Sequence, residues 1–156
     1  MAVFTQITHD ELATWLTPLN LGTLVEFKGI ASGIENSNFF VTLNNGTHNT
    51  TYVLTLFEVL TPEQLPFYLE LMQHLAIKGV PVPRPYADQQ GQLFRPLAGK
   101  PATLVSKLSG SDTAAPTPAH CASVGRTLAQ MHLAGRDLQR HQPNLRGLDW
   151  WQMMED

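Results

Sequence analysis

The chain has 156 residues, 43% of them hydrophobic and 15% charged, which suits a packed core and excludes a disordered tail. Ten Lys and Arg against thirteen Asp and Glu leave a formal net charge of −3, without the basic stripe that a nucleic-acid surface or a membrane-lying helix requires. The single cysteine, Cys121, excludes an internal disulfide framework and a multi-cysteine zinc site.

In chain order, the start shows no charged region followed by an apolar run, so no secretory signal is read. No stretch approaches the roughly 18 apolar residues of a membrane helix, and a cytoplasmic protein is expected. Thr8-His9-Asp10-Glu11 reads as a capping box, with Ile7 and Leu12 as its hydrophobic staple, opening a helix over 9–17 that ends before Pro18. Three strand-like runs follow at 23–31, 38–43 and 51–59, the last two joined by a turn at Asn44-Asn45-Gly46. Alternation in the third run puts Tyr52, Leu54 and Leu56 on one face and Val53, Thr55 and Phe57 on the other.

Thr61-Pro62-Glu63-Gln64 opens a second helix, with Leu65, Tyr68, Leu69, Met72, Leu75 and Ala76 on its inner face and Lys78-Gly79 as its stop. The proline-rich 80–85 must run extended. Asp88-Gln89-Gln90-Gly91 reads as a hairpin turn serving strands near 92–97 and 102–108. Small polar residues over 109–116 make a linker. Thr117-Pro118 then opens a helix to about Ala134, capped by Gly135, with Val124, Leu128, Met131 and His132 inward and Cys121 as a small apolar filler. The tail from Asn144 shows no finished element. The fold class is therefore α+β: a five-stranded antiparallel sheet with one packed helix and an N-terminal helix.

Most catalytic signatures are missing, including G-x-x-x-x-G-K-[ST], H-E-x-x-H and G-x-S-x-G. One segment stands out: Gly29-Ile30-Ala31-Ser32-Gly33-Ile34-Glu35-Asn36-Ser37-Asn38-Phe39 joins two paired strands and is rich in small residues and turn formers. Such a loop suits an anionic ligand held by backbone N–H groups, the Ser37 hydroxyl and asparagine amides. A plain hairpin loop is the other reading of those residues alone.

The strand order, that loop and the linker together resemble the small lobe, hinge and first large-lobe helix of protein-kinase-like enzymes. Asn36-Ser37-Asn38-Phe39 resembles the Ser-Asn loop of the aminoglycoside phosphotransferase and choline kinase superfamily, and Leu128-Ala129-Gln130-Met131-His132 resembles its helix after the hinge. Met1-Ala2-Val3-Phe4-Thr5, Leu54-Thr55-Leu56-Phe57-Glu58, Leu65-Pro66-Phe67, Leu71-Met72-Gln73-His74-Leu75 and Pro143-Asn144 with Trp150-Trp151 are similar to the bacterial homoserine kinases within it. The resemblance implies a nucleotide-binding lobe at 1–105, a hinge at 106–116 and the start of a helical lobe at 117–156. It further implies transfer of the γ-phosphoryl of ATP to the side-chain hydroxyl of L-homoserine, with Mg²⁺ bridging the phosphates. Gly33, Asn36, Ser37 and Asn38 would lie over the phosphates, Val53 would face the adenine, and Ser106, Lys107 and Leu108 would offer hinge backbone groups.

Two departures accompany the resemblance. The third-strand cation of the superfamily falls at Thr55, which brings no charge, and its helix glutamate falls nearer Tyr68 than Glu70. The catalytic His-x-Asp followed five residues on by Asn appears nowhere in the sequence, and Asp137, Asp149 and Asp156 lack the surroundings of a metal-binding aspartate. No catalytic or metal residue is therefore assigned. The expectation is a piece of a longer protein that binds nucleotide weakly and transfers nothing alone. A superfamily kinase for choline or an aminoglycoside, and a non-catalytic kinase-like binding module, are the alternatives.

Overall fold

Thr8 sets the first element. In the computed structural model, which describes residues 3–154, the Thr8 hydroxyl accepts the Glu11 N–H at 3.3 Å, while the Glu11 carboxylate accepts the Thr8 N–H at 2.8 Å. That closes the capping box on helix α1 (His9–Leu16). The α-helix ends before Pro18, as expected. A 3-10 turn, Thr17–Leu19, absorbs the proline near its start, where no N–H is needed, and Asn20 at φ 52 then redirects the backbone. Met1, Ala2, Glu155 and Asp156, the first two part of the motif at the start and Asp156 a candidate set aside, lie outside the described residues.

Strands β1 (Thr23–Gly29), β2 (Asn36–Asn44) and β3 (Asn49–Phe57) form consecutive antiparallel hairpins. β2 and β3 stay in one register from Asn36↔Phe57 to Asn44↔Asn49, turning through Gly46 at φ +96. β2 thus begins two residues before the predicted strand, which draws Asn36 and Ser37 out of the loop and into the ladder. Helix α2 (Leu65–Ile77) follows. It starts at Leu65 instead of directly after Thr61, because a separate turn there uses the Gln64 side chain on the Thr61 N–H at 3.0 Å. It ends as the sequence demands, with Gly79 at φ +79 and the Val80 N–H reaching back to the Leu75 carbonyl at 3.0 Å.

The last hairpin corrects the sequence reading. β4 (Arg95–Leu97) and β5 (Lys100–Ser106) join through Ala98 at φ 49 and Gly99 at φ 75, the twist a two-residue hairpin favours. Asp88–Gly91 is instead a local turn: the Asp88 carboxylate accepts the N–H groups of Gln90 and Gln92, each at 2.9 Å, and needs no flanking strands. The extended residues 84–86 lie along the rest of the β5 edge, with Tyr86 N–H to Leu104 O and Ser106 N–H to Arg84 O, each at 2.9 Å. The order across the sheet is β1-β2-β3-β5-β4.

One face of this sheet carries the core. Leu12, Trp15 and Leu16 of α1 pack against Phe39, Val41 and Leu43 of β2, Tyr52, Leu54 and Leu56 of β3, and Ala102 and Leu104 of β5. The predicted faces of the third strand are confirmed by this burial. α2 lies on the other side, with Leu65, Leu69 and Leu75 buried.

Residues 107–117 form neither helix nor strand and lead to α3 (Pro118–Gly135), where the Thr117 N–H is received by His120 Nδ1 at 3.0 Å. The expected inner face of α3 is not inner: Val124 is 67% and Leu128 49% exposed, and His132 and Cys121 are exposed as well. Periodicity marks a face that favours cover, and the described chain covers α3 only toward its end, where Leu71 and Leu75 of α2 face Met131 and Gly135. Gly135 continues the helix and Arg136 closes it in right-handed geometry. A short helix α4 (Leu148–Met153) occupies the tail. Among the described residues no helix is long and apolar enough to cross a membrane.

A polar clasp joins α2 to the end of α3. His74 Nε2 and Lys78 Nζ each lie 2.9 Å from the Ala134 carbonyl, and both also engage the Asp137 carboxylate. Since both partners of His74 Nε2 accept, that nitrogen carries the proton. The Lys78 hydrogen bond foremost, with His74 and the Lys78 charge, lowers the Asp137 carboxyl from 3.8 to about 2. A depressed carboxyl contributes its full stabilisation above its ordinary value and loses it as pH falls through the folded one. Carbon-detected NMR of Asp137 is expected to titrate near 2, and the α2–α3 contacts to loosen as pH falls from about 4 to 2. A midpoint near 3.8 would mean that the clasp does not hold in solution.

Candidate functional site

The pleat of β2 divides the asparagine-serine motif between two sides of the sheet. Asn36, Asn38 and Phe40 face α2, whereas Ser37, Phe39 and Val41 face the core. Across the ladder Asn36 meets Phe57, Asn38 meets Thr55 and Phe40 meets Val53; further on Thr55 meets Thr103 and Val53 meets Val105. These side chains floor a groove of about 540 Å³, walled by Leu69 and Met72 of α2 and closed at one end by Pro83, Ser106, Lys107, Leu108 and Gly110. A larger cavity of about 630 Å³ lies between α2 and residues 91–96 and holds Glu70, paired with Arg140 at 2.7 Å, but none of the candidate residues.

The groove therefore brings together Asn36, Asn38, Val53, Thr55, Ser106, Lys107 and Leu108. Gly33 lies in the connecting loop 30–35, outside this lining, at φ 151 where a side chain would strain the backbone. Phe40, Phe57, Thr103, Leu69 and Met72 line the groove without having been singled out. The first three follow from strand alternation once the register is known, whereas the α2 pair needs the helix docked.

Hydrogen bonding decides what the groove offers. Thr55 Oγ1 donates to Asn38 Oδ1 at 2.7 Å, and Thr103 Oγ1 donates to Leu93 O at 2.7 Å. Both hydroxyl protons are spent within the protein, so neither threonine has one left for a ligand. Asn38 Nδ2 uses one hydrogen on Asn36 O at 3.3 Å and keeps the other, and the Asn36 amide has no side-chain bond among the described residues. The donors aimed into the groove are thus neutral amides. Apolar rings and aliphatic chains gather toward Lys107, whose ammonium stands 5.6 Å from the Phe40 ring centre, the one formal charge of the lining. Lys107 and Leu108 N–H groups make no backbone hydrogen bond among the described residues, while the Ser106 N–H donates to Arg84 O and its Oγ accepts the Arg84 N–H. The hinge backbone N–H groups open to a ligand are those of Lys107 and Leu108.

Ser37 is elsewhere. Fully buried, its Oγ accepts the N–H groups of Phe4 and Thr5 at 2.8 and 2.9 Å and donates to Glu58 Oε1 at 2.6 Å. Glu58 in turn pairs with Lys100 at 3.2 Å. Burial pushes the Glu58 carboxyl up, but hydrogen bonds from Ser37, Thr5 and Lys100 and the Lys100 charge outweigh it and hold it below the usual carboxylate range. This network pins the N-terminal segment against the strand, where Val3 lies over Gly29 so closely that a Cβ there would stand 2.8 Å from the Val3 methyl. The expected place of Ser37 among the ligand-facing residues is corrected accordingly: its hydroxyl faces the core and has no free proton.

The donor set does not fit a divalent cation by itself. Mg²⁺ is held through carboxylates and phosphate oxygens, and the groove lining carries no carboxylate. Among the described residues no group of three or more His, Cys, Asp or Glu could hold a metal ion.

A family model, the phosphotransferase enzyme family, matches residues 26–155, and the chain belongs to that family. The homoserine kinase of Cupriavidus pinatubonensis is 56% identical over 155 residues, 99% of this chain and 47% of that protein. Those of Paraburkholderia phymatum and Polaromonas naphthalenivorans are each 59% identical, over 152 and 151 residues, 97% of this chain and 46% of theirs. The chain spans about half the length of the curated relatives it matches.

The Ser37 network makes a stability prediction independent of any ligand. Ser37→Ala leaves two partly buried N–H groups and the Glu58 carboxylate short of a partner and is expected to cost about 2 kcal/mol in urea unfolding. Thr55→Val, on the groove side, is expected to cost about 1 kcal/mol. Equal costs would contradict the division of the motif between the two faces.

Proposed function

We propose that this member of the phosphotransferase enzyme family carries the nucleotide site of an ATP-dependent kinase that phosphorylates the side-chain hydroxyl of L-homoserine, a step of threonine biosynthesis. The observation that carries the reading is the groove itself: an apolar end beside free hinge amides, continuing into a polar ladder of Asn38, Thr55 and Thr103 toward Asn36, where the glycine-bearing loop 30–35 joins β2. The names of the similar proteins support the acceptor.

In this reading the adenine lies between Val53 and Leu108, with Phe40 and Val105 extending the apolar surface and the N–H and carbonyl groups of Lys107 and Leu108 meeting its edge. The phosphates run toward Asn38 and Asn36, whose amides donate to them, under residues 30–35 with Gly33 giving the backbone its close approach. Ser106 contributes by fixing the hinge to Arg84 at 2.8 Å. Phosphoryl transfer needs positioning and charge stabilisation more than covalent chemistry. The parts assigned here position the donor. No step is assigned to Mg²⁺, for which the groove has no carboxylate ligands. The unit division proposed is a nucleotide-binding lobe at 1–105, a hinge at 106–116 and helical residues from 117 onward.

The test uses the protein extended to the length of these relatives. Coupled ADP release is expected with L-homoserine and not with choline or kanamycin. Asn38→Ala is expected to raise the KM for ATP about tenfold with little change in that for homoserine, the effect of one lost phosphate contact. Turnover with choline or kanamycin alone would transfer the activity to another acceptor, and unchanged ATP kinetics in Asn38→Ala would remove the groove from the reaction.

A further inference from the structure

A nucleotide triphosphate brings several negative charges into a groove whose floor offers only neutral donors. Of the cations near it, Lys100 is held in its ion pair with Glu58 at 3.2 Å, and the other two sit at the opposite end. Lys107 covers Phe40, and Lys28 of β1 is paired across the ladder with the same Phe40. From Val53, opposite Phe40, to Phe57, opposite Asn36, the strand runs four residues, about 13 Å at the usual rise. The phosphate end therefore lies well away from both lysines, and Thr55 midway along is uncharged.

A cation does arrive at that end, from the far side of the sequence. Arg146 pairs through Nη2 with the Glu35 carboxylate, and Glu35 is the last residue of the loop before Asn36. Its guanidinium stands 5.3 Å from the Trp150 ring centre, and its backbone N–H donates to Asn144 Oδ1 at 3.0 Å. Both partners of the ion pair are about half exposed, 51% for Arg146 and 44% for Glu35, so the pair is open to exchange.

We propose that Arg146 is the phosphate-binding cation of this site, and that Glu35 occupies it until a nucleotide displaces the carboxylate. The inference rests on the nucleotide reading of the groove. A carboxylate and a phosphoryl group present the same pair of acceptor oxygens to a guanidinium fork, so Glu35 takes the place that phosphate oxygens would fill. The phosphate chain carries more charge than one carboxylate and adds the Asn36 and Asn38 amides, which favours the exchange. Trp150 keeps the guanidinium in position during it, while Asn144 holds the backbone from which the side chain extends. Glu35, released, leaves the loop 30–35 free to settle over the phosphates.

Calorimetric titration of the 156-residue chain with AMP-PNP and, separately, adenosine tests this through effects of opposite sign. Arg146→Ala is expected to weaken AMP-PNP binding about tenfold, the worth of one charge-assisted contact, and to leave adenosine binding unchanged. Arg146→Lys recovers part of the loss. Glu35→Gln removes the competing anion and is expected to tighten AMP-PNP binding about threefold. A brace that merely holds the loop would give the same sign in both variants, so weakening of AMP-PNP by Arg146→Ala and Glu35→Gln alike overturns the proposal. So does an unchanged affinity in Arg146→Ala, or an equal loss for adenosine. If the wild-type chain binds neither compound, the nucleotide reading falls and takes this inference with it; if it binds AMP-PNP and ignores Arg146, this inference alone falls.

Discussion

The two-residue repeat of a β-strand constrains everything else in this molecule. β2 must wall the core and floor the groove at once, and a pleated strand allows this only by giving alternate residues to each task. Phe39, Val41 and Leu43 go inward with Ser37, and Asn36, Asn38 and Phe40 go outward. A slip of one residue against β3 would bury two asparagines and expose the serine network. The uninterrupted register from Asn36↔Phe57 to Asn44↔Asn49 therefore fixes the core and the site together. Ser37 strengthens that register, since its hydroxyl is anchored to residues 4, 5 and 58.

Charge is deployed around the groove, with little inside it. Glu58 with Lys100, Asp88 with Arg95, Asp137 with Lys78 and His74, and Glu70 with Arg140 each join segments that are distant or separately folded. Arg95 adds a stacking contact, 4.7 Å from the Trp15 ring centre, that ties α1 to β4. The pairs at Asp137 and Glu70 are exposed and contribute little stability singly, whereas Asp88 and Glu58 are largely buried; all of them fix where segments lie. A site left neutral avoids the cost of holding an unpaired charge between partners. Under the proposed nucleotide reading it would also separate an apolar subsite for the base from a phosphate subsite that must recruit charge from outside the floor. The formal net charge of −3 is compatible with a polyanionic ligand because the relevant field is local.

Local signals were legible in the residues and distant ones were not. The capping box of Thr8 and Glu11, the Gly79 stop, the Asn45-Gly46 turn and the faces of β3 are written in short patterns whose physics is complete within a few residues. The five-stranded sheet followed from them, and the groove gathered most of the residues named for it. Ser37 was misplaced because its partners lie 33, 32 and 21 residues away, so nothing beside it in sequence marks its side of the sheet. The β4–β5 turn at Ala98-Gly99 was hidden by the stronger turn composition of Asp88-Gln89-Gln90-Gly91, which serves a carboxylate-centred turn. The exposed Val124 and Leu128 of α3 show the same limit from the other side: a helical repeat reports a face suited to burial, and burial depends on neighbours.

Helix α2 links these parts mechanically. Leu69 and Met72, three residues apart, form the wall of the groove opposite the sheet. Glu70, His74 and Lys78, spaced by four, form another stripe of the same helix, bonded to Arg140, Ala134 and Asp137. One stripe meets the ligand space and the other is gripped by residues 134–140. A helix is stiff over this length, so a shift of the gripped stripe must move the wall. The groove width is accordingly set from two directions: by the β2–β3 register on the floor and by the clasp behind α2. The first is buried and insensitive to solvent, while the second is exposed and ionic, which makes the α2 wall the more adjustable side of the site.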